Sequence, residues 1–242
     1  DDLPARAIKI GMLGRESTIG EVGKCLLRVE GAPKVVCDPV MFTTSGARLL
    51  DEACCAKVVR DIFPHCALIT PNLHEAEALV GRRLASADEV AAGAAELLRS
   101  GCAAVLIKGG HAADDGGVAQ DYYTDGDVTA WLSCARVQTA HTHGTGCTLS
   151  SAIAALLSRG LTILDAIVLA KAYVTQGLAV AEPLGKGPGP VGHTRWPDYA
   201  AAMPWLTTTA DDGARRPQFV RCDGAPALLP VLSSSEEVAT AA

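Results

Sequence analysis

Short apolar runs alternate with longer amphipathic stretches along most of the chain. The runs have the length and the Val, Ile and Leu content of buried strands, whereas the stretches carry apolar residues at the helical period. This pattern predicts strands over residues 8–13, 34–38, 67–70 and 103–108. It predicts helices over residues 19–30 and 53–63, within the string PNLHEAEAL, and from the capping box Ser86-x-x-Glu89 through Ser100.

The pattern in the second half of the chain predicts a hairpin followed by two helices. Residues 120–123 and 129–132 flank Asp125-Gly126, which is a favoured turn between antiparallel strands. The helices are predicted to begin at Thr148 and to cover residues 163–180. Because strands alternate with helices, the expected fold class is α/β, with a mainly parallel central sheet covered by helices on both faces.

Polar motifs follow several of the predicted strands, at the edge of the sheet where ligands gather in such folds. Asp38, Asn72 and Lys108 stand at or just after strand ends, and the glycine-rich string HTHGTGCTLS precedes a helix. A helix start has free backbone N–H groups and the positive end of the helix dipole, so it can bind an anion. For the three letters GTG alone, a helix start without a ligand is the better interpretation, but the ten-residue string is more specific.

Composition narrows the class of protein. The 242 residues suggest about one to two domains. Apolar residues make up 49% and aromatic residues only 4%, which is typical of aliphatic α/β layers. A net charge of -6 without a cluster of Lys and Arg argues against nucleic acid or an acidic membrane as a partner. No apolar run reaches the length of a membrane span.

The nine cysteines are scattered through apolar elements. This distribution favours buried thiols in a reducing compartment, and hence the cytoplasm, over a disulfide framework. An organelle stays open as an alternative. The adjacent Cys54 and Cys55 have no partner pair at metal-binding spacing, so we expect no zinc site there.

Five strings together carry a family resemblance, namely IKIGML, VVCDPVM, LITPNLHEAEALVG, VLIKGGH and HGTGCTLS, in this order. They resemble the hydroxymethylpyrimidine/phosphomethylpyrimidine kinases of the ribokinase-like superfamily, over roughly residues 8–193. Most of that superfamily has Asp where Cys147 stands, and the Cys form marks this branch. The string EPLGKGPGPVGH is similar to the closing segment of the family, although Lys186 stands where the pattern usually has His.

The resemblance implies a three-layer αβα kinase that uses ATP and Mg²⁺. Its substrates would be 4-amino-5-hydroxymethyl-2-methylpyrimidine and the monophosphate of that alcohol, in thiamine biosynthesis. The backbone amides of Gly144, Thr145, Gly146 and Cys147 would face the transferred phosphoryl group. Cys147 would also be the general base, because a thiol at a helix N-terminus ionises more readily. A structural cysteine is the alternative interpretation.

Four further residues would hold the nucleotide and the metal in this resemblance. Lys108 would contact the ATP phosphates, and Asn72 and Glu75 would hold magnesium-bound waters beside them. Asp38 is a second acidic group that could serve the metal or the phosphates. The alternatives are a solvated lysine at a strand end and a glutamate that complements the dipole of its own helix.

Apolar walls of the pyrimidine pocket would come from Met12 and Val40, although ordinary core positions are nearly as good an interpretation. His111 and His193 are expected to be structural or surface residues, and His143 is expected to shape the glycine-rich loop.

The resemblance also predicts a domain organisation. Residues 1–195 would form the kinase domain, 196–224 a linker, and 225–242 a strand and the beginning of a helix. The last segment faintly resembles the opening of thiamine-phosphate synthase, with a frayed tail as the alternative. The family's first strand and its glycine-rich pyrimidine-binding loop have no counterpart at the beginning of the chain, so low solubility or weak activity is expected.

Two other functions stay open from the sequence. A pyridoxal-type kinase shares the cysteine-containing loop, and a non-catalytic remnant is consistent with the absent first strand. The expected partners are small molecules, with neither nucleic acid nor membrane, and a homodimer is possible from the resemblance.

Overall fold

Within the described residues, seven strands form one sheet in the middle of the protein. The computed structural model describes residues 4–43, 46–109, 117–193 and 203–208. The strands are β1 (Ala7–Ile10), β2 (Lys34–Cys37), β3 (Leu68–Ile69), β4 (Val105–Lys108), β5 (Val118–Thr124), β6 (Thr129–Ala135) and β7 (Trp205–Thr208).

Helices connect the first four strands and follow the sixth. They are α1 (Glu16–Arg28), α2 (Glu52–Asp61), α3 (Leu73–Val80), α4 (Ala87–Leu98), α5 (Thr145–Ser158) and α6 (Ile163–Ala179), with a short 3-10 turn at Phe63–His65. The capping box predicted for α4 is confirmed, because Ser86 accepts from the amide of Glu89 and Glu89 accepts from the amide of Ser86. Among the described residues, no helix has both the length and the apolar character that crossing a membrane requires.

The strands lie in the sheet in the order in which they occur along the chain. Strands β1 to β4 are parallel neighbours, and β4 to β7 are antiparallel neighbours. The predicted α/β class is confirmed, but the sheet is evenly mixed rather than mainly parallel. The connection from β4 to β5 is too short for a helical crossover, so the chain returns antiparallel. The predicted hairpin turn joins β5 to β6, where Asp125 Oδ1 accepts from the amides of Asp127 and Val128.

Each face of the sheet carries its own hydrophobic core, which gives the three layers that the resemblance implies. Val35 and Cys37 of β2 belong to the core under α1 to α4, whereas Val36 between them belongs to the core under α5 and α6. The same alternation places Ile107 in the first core and Leu106 in the second. Side chains alternate across a strand, so one apolar run serves both faces.

Two elements differ from the sequence-based expectation. Helix α5 begins at Thr145, three residues before the predicted Thr148, because Gly144 takes a left-handed conformation at φ 85° and starts the helix there. Strand β7 lies inside residues 196–224, which were predicted as a linker, and it pairs antiparallel with β6. The prediction for residues 225–242 falls outside the described residues.

Candidate active site

Two oppositely charged side chains meet at the carboxyl ends of β2 and β4. Lys108 Nζ donates to Asp38 Oδ1 at 2.7 Å, and Thr70 Oγ1 lies 3.5 Å from the same oxygen. Asp38 is only 2% exposed. Side chains alternate between the two faces along a strand, so Asp38 shares a face with Val36, and Lys108 shares a face with Leu106. Both charged groups therefore lie on the face of the sheet that α5 and α6 cover. A buried charge needs a partner, and each of these groups supplies one for the other.

The start of α5 lies directly beside this ion pair. A β-carbon at Gly146 would lie 3.3 Å from Lys108 Nζ and 3.5 Å from Asp38 Oδ2. No side chain caps the helix at Gly144, and the amides of Gly146 and Cys147 make no hydrogen bond to any described residue. Free amides, the helix dipole and a lysine ammonium therefore converge on one small volume, which suits a phosphate group.

A second buried carboxylate lies at the start of α3. Asn72 Oδ1 accepts from the amide of Glu75, and Glu75 Oε2 accepts from the amide of Asn72, both at 2.8 Å. The other oxygen, Glu75 Oε1, accepts from the amide of Met41 at 3.0 Å. Glu75 thus joins α3 to the loop that follows Asp38. Burial raises the pKa of Glu75 above its ordinary value of 4.5, while Lys108 and the two amides offset part of that effect.

The two carboxylates of this site could supply part of the ligands of a Mg²⁺ ion. Asp38 and Glu75 supply hard carboxylate oxygens, each with a further lone pair. Among the described residues, no group of three or more His, Cys, Asp and Glu side chains is arranged to hold a metal ion. Such a pair suits a cation that keeps several waters and takes other ligands from substrate phosphates, as Mg²⁺ does.

Cys147 is exposed and opens onto a groove of about 750 Å³. The groove is lined by α5, α6 and the segment after them: Cys147, Thr148, Ser151, Ala152, Ala155, Leu156, Arg159, Leu169, Tyr173 and His193. Lys108 and Asp38 do not line it. The first turn of α5 therefore separates a groove on the Cys147 side from the ion pair on the Gly146 side.

The segment after α6 holds the glycine-rich loop in place. His143 donates through its amide to Gly189 O at 3.2 Å and accepts at its carbonyl from the amide of Val191 at 3.0 Å. The amide of Gly189 also donates to His141 Nδ1 at 3.0 Å. The main chain of His143 therefore shapes the loop. His193 lies 3.1 Å from the Tyr173 hydroxyl, on the groove side.

Met12 and Val40 follow the neighbouring strands β1 and β2. Met12 is 56% exposed, which excludes the core interpretation for its side chain. Val40 is half-buried and has φ 31°, a left-handed conformation that is an outlier for a β-branched residue. Strain of this kind clusters at functional sites. His111 lies outside the described residues.

Sequence analysis missed several polar groups near the site. Thr70 contacts Asp38, and the amide of Met41 fixes the loop after β2. Asp121 and Lys171 form a buried ion pair close to the end of β4. A charged residue inside the apolar strings QDYY and LAKAY was the signal that could have revealed that pair.

Comparison with known proteins agrees with this geometry. A family model described as phosphomethylpyrimidine kinase matches residues 1–192. The chain belongs to the phosphomethylpyrimidine kinase family. It is 42% identical over 199 residues to a hydroxymethylpyrimidine/phosphomethylpyrimidine kinase of Rhizobium meliloti, covering 81% of this chain and 73% of that protein.

Solved structures show the same fold in kinases of this kind. The pyridoxal kinase from Staphylococcus aureus in complex with AMP-PCP matches with a TM-score of 0.76 at 30% identity, covering 84% of this chain and 73% of that chain. The phosphomethylpyrimidine kinase from Clostridium difficile matches with a TM-score of 0.62 at 33% identity, covering 72% of this chain and 70% of that chain. The predicted family and the predicted three-layer fold are confirmed.

Proposed function

We propose that this chain transfers the γ-phosphoryl group of ATP to hydroxymethylpyrimidine and then to the resulting monophosphate, in thiamine biosynthesis. The observation that carries the proposal is the uncapped start of α5, which lies beside the Lys108 ammonium at Gly146. The family of the chain and the match to a kinase bound to AMP-PCP, an ATP analogue, support ATP as the donor.

In this proposal each group around the transferred phosphoryl has its own task. The amides of Gly146 and Cys147 would donate to its equatorial oxygens, where negative charge spreads in the transition state. The Thr145 amide already donates to Thr142 O at 3.4 Å. The ammonium of Lys108 would face the same charge from the opposite side of Gly146. These interactions need no rearrangement during the reaction, because the helix start and the strand end are fixed by the fold.

Cys147 would act on the acceptor alcohol. Its sulfur takes the hydroxyl proton while the alcohol oxygen bonds to the γ-phosphorus and the bond to the β–γ bridging oxygen breaks. ADP leaves with that oxygen, so charge and atoms balance. The exposure of Cys147 in the first turn of α5 supports this role, because a reactant can reach its thiol.

Mg²⁺ would be held through Asp38 and Glu75, directly or by way of waters, and when bound it would neutralise charge on the nucleotide phosphates. Asn72 keeps Glu75 in position through the capping box. Met12 and Val40 would provide apolar contacts for the pyrimidine ring at the ends of β1 and β2.

A pyridoxal kinase is the second candidate. The matches to pyridoxal kinases from Staphylococcus aureus include one in complex with pyridoxal, at a TM-score of 0.75 and 29% identity. Both functions would use ATP as the phosphoryl donor, Cys147 as the base and the same anion-binding groups. They would differ only in the alcohol that binds between the apolar residues.

ADP release decides between these candidates. Initial rates are measured with hydroxymethylpyrimidine, with its monophosphate and with pyridoxal, each at a range of concentrations. The proposal predicts the highest kcat/KM with the two pyrimidines. A higher kcat/KM with pyridoxal would replace it by the second candidate, and release of ADP that no alcohol stimulates would contradict both.

The proposed setting is the cytoplasm. All eight cysteines within the described residues are free, which supports a reducing compartment. Small molecules are the proposed partners, and the homodimer stays a prediction from the family resemblance.

A further inference from the structure

A second buried ion pair lies behind the candidate active site. Lys171 of α6 donates from Nζ to Asp121 Oδ2 of β5 at 2.6 Å, and the side chains are only 7% and 8% exposed. Burial alone would lower the pKa of Lys171, but the Asp121 carboxylate more than offsets this and the pKa lies above its ordinary value of 10.5. The contact with Asp121 therefore favours the charged form of Lys171. Because burying two charges costs about as much free energy as their attraction returns, stability alone is a poor account of this pair.

The second oxygen of Asp121 reaches the end of β4. Oδ1 accepts from the amide of Gly109 at 3.0 Å, the same amide that donates to Gln120 O. Asp121 also stands directly opposite Lys108 in the antiparallel pairing of β4 with β5. One carboxylate thus connects α6 to the peptide that immediately follows Lys108.

Lys108 is in turn the group that faces the start of α5. Its ammonium donates to Asp38 and lies 3.3 Å from the position that a β-carbon at Gly146 would occupy. A continuous series of contacts therefore leads from Lys171 through Asp121 and the Gly109 amide to the lysine that meets the transferred phosphate. A shift at Gly109 would be passed directly to Lys108, its neighbour in sequence.

We propose that Lys171 and Asp121 are positioning residues for phosphoryl transfer, which fix the end of β4 so that the Lys108 ammonium faces the free amides of α5. The inference rests on the proposed function for the identity of the reaction. The contacts that carry it, however, lead only to Lys108, which is proposed to contact the nucleotide phosphates. It predicts that loss of the pair impairs ATP use while leaving the affinity for the acceptor alcohol unchanged.

Two neutral double variants test this. Both Lys171→Met/Asp121→Asn and Lys171→Met/Asp121→Leu remove the buried charges, but only Asn keeps an acceptor for the Gly109 amide. We expect kcat/KM for ATP to fall about 10-fold or more in the Leu variant and about threefold in the Asn variant, because small misplacements of catalytic groups are costly. The KM for the alcohol should stay within about twofold of wild type in both.

The control is a pair on the opposite face of the sheet. Lys57 Nζ and Asp61 Oδ2 lie 3.0 Å apart on α2, where Asp61 also accepts from Arg60 at 2.7 Å, so Lys57→Met/Asp61→Leu removes two opposite charges far from Lys108. Thermal unfolding of every variant separates a loss of stability from a loss of alignment. The control should change the unfolding temperature without changing any kinetic constant.

Wild-type kcat/KM for ATP in a folded Leu variant would overturn the inference, as would equal losses for ATP and the alcohol. If the Leu variant does not fold, the Asn variant decides by the same criteria. The dissociation constant for AMP-PCP, measured without any alcohol, separates the two proposals. Weaker AMP-PCP binding in the double variants supports the inference even if the wild type acts on a different alcohol, whereas unchanged binding together with unchanged kcat overturns it.

Discussion

At the scale of single residues, Cys147 carries the proton transfer in the proposed reaction. It is exposed in the first turn of α5, where its amide is free and its side chain opens onto the groove. The amide and the side chain therefore have separable tasks. In the proposed reaction the amide would bind the phosphoryl group and the side chain would act on the alcohol.

Replacing Cys147 by Ala should lower kcat by about 10²-fold or more, because the general base is lost. The dissociation constant for ATP should hardly change, since the backbone amides remain. Steady-state kinetics and nucleotide titration measure the two quantities. The matched control is Cys25→Ala, which removes another exposed thiol, on α1, and should leave both unchanged. Turnover near wild type in the Cys147 variant would show that the thiol only fills space.

Because Glu75 is buried, we expect its contribution to the free energy of unfolding to depend on pH. Its native pKa is raised, so between the ordinary value of 4.5 and the native value the native state binds more protons than the unfolded state. The contribution of Glu75 to the free energy of unfolding therefore falls as pH rises through that interval. The stability advantage of wild type over Glu75→Gln should be larger at the acidic end of the interval than at neutral pH.

Denaturant unfolding of both proteins at several pH values measures this advantage. Glu89→Gln is the matched control, because Glu89 has the same capping position in α4 but is exposed. An advantage of wild type over Glu75→Gln that grows with rising pH would contradict the assignment of burial as the dominant effect on Glu75.

At the scale of elements, the segment after α6 is what keeps the glycine-rich loop in register with α5. Gly189 lies so close to the loop that a β-carbon there would be 2.7 Å from His141 Nδ1 and 2.8 Å from Glu182 O. Gly189→Ala should therefore displace the segment from the loop, lowering kcat by about 10- to 100-fold and stability by about 1–3 kcal/mol.

The comparison for Gly189→Ala is Gly187→Ala in the same segment. A β-carbon at Gly187 would have nothing within 4 Å, so this variant should match wild type in both measurements. Steady-state kinetics measures kcat, and thermal unfolding measures the change in stability. Equal kcat in the two variants would mean that the segment does not position the loop.

Element boundaries show what the sequence could and could not predict. Strands β2 and β4 were found because their apolar runs are continuous and each run is followed by a charged residue, Asp38 or Lys108. The true beginning of α5 was missed, because Thr, Gly and Cys are poor helix formers and the periodicity starts only after them. Strand β7 was missed because Trp205–Thr208 is too short for a period to show, and pairing with β6 decides its structure.

At the scale of the whole molecule, the sheet brings together groups that are distant in sequence. Asp38, Asn72 and Lys108 were expected at one edge, because parallel strands end there, and the structure places Asp38 and Lys108 in contact. The contact of Gly146 with Lys108 and the link from Lys171 to Gly109 could not be predicted. They depend on how α5 and α6 pack on the sheet, which no local pattern records.

The central claim is that this fold transfers phosphoryl groups from ATP to a pyrimidine alcohol. The most direct test is to incubate the protein with Mg-ATP and hydroxymethylpyrimidine and to identify the products by mass spectrometry. We expect the pyrimidine monophosphate first and the diphosphate afterwards, with one ADP formed for each phosphoryl group transferred. ADP formed without any phosphorylated pyrimidine, or an unchanged pyrimidine when pyridoxal is phosphorylated under the same conditions, would contradict it.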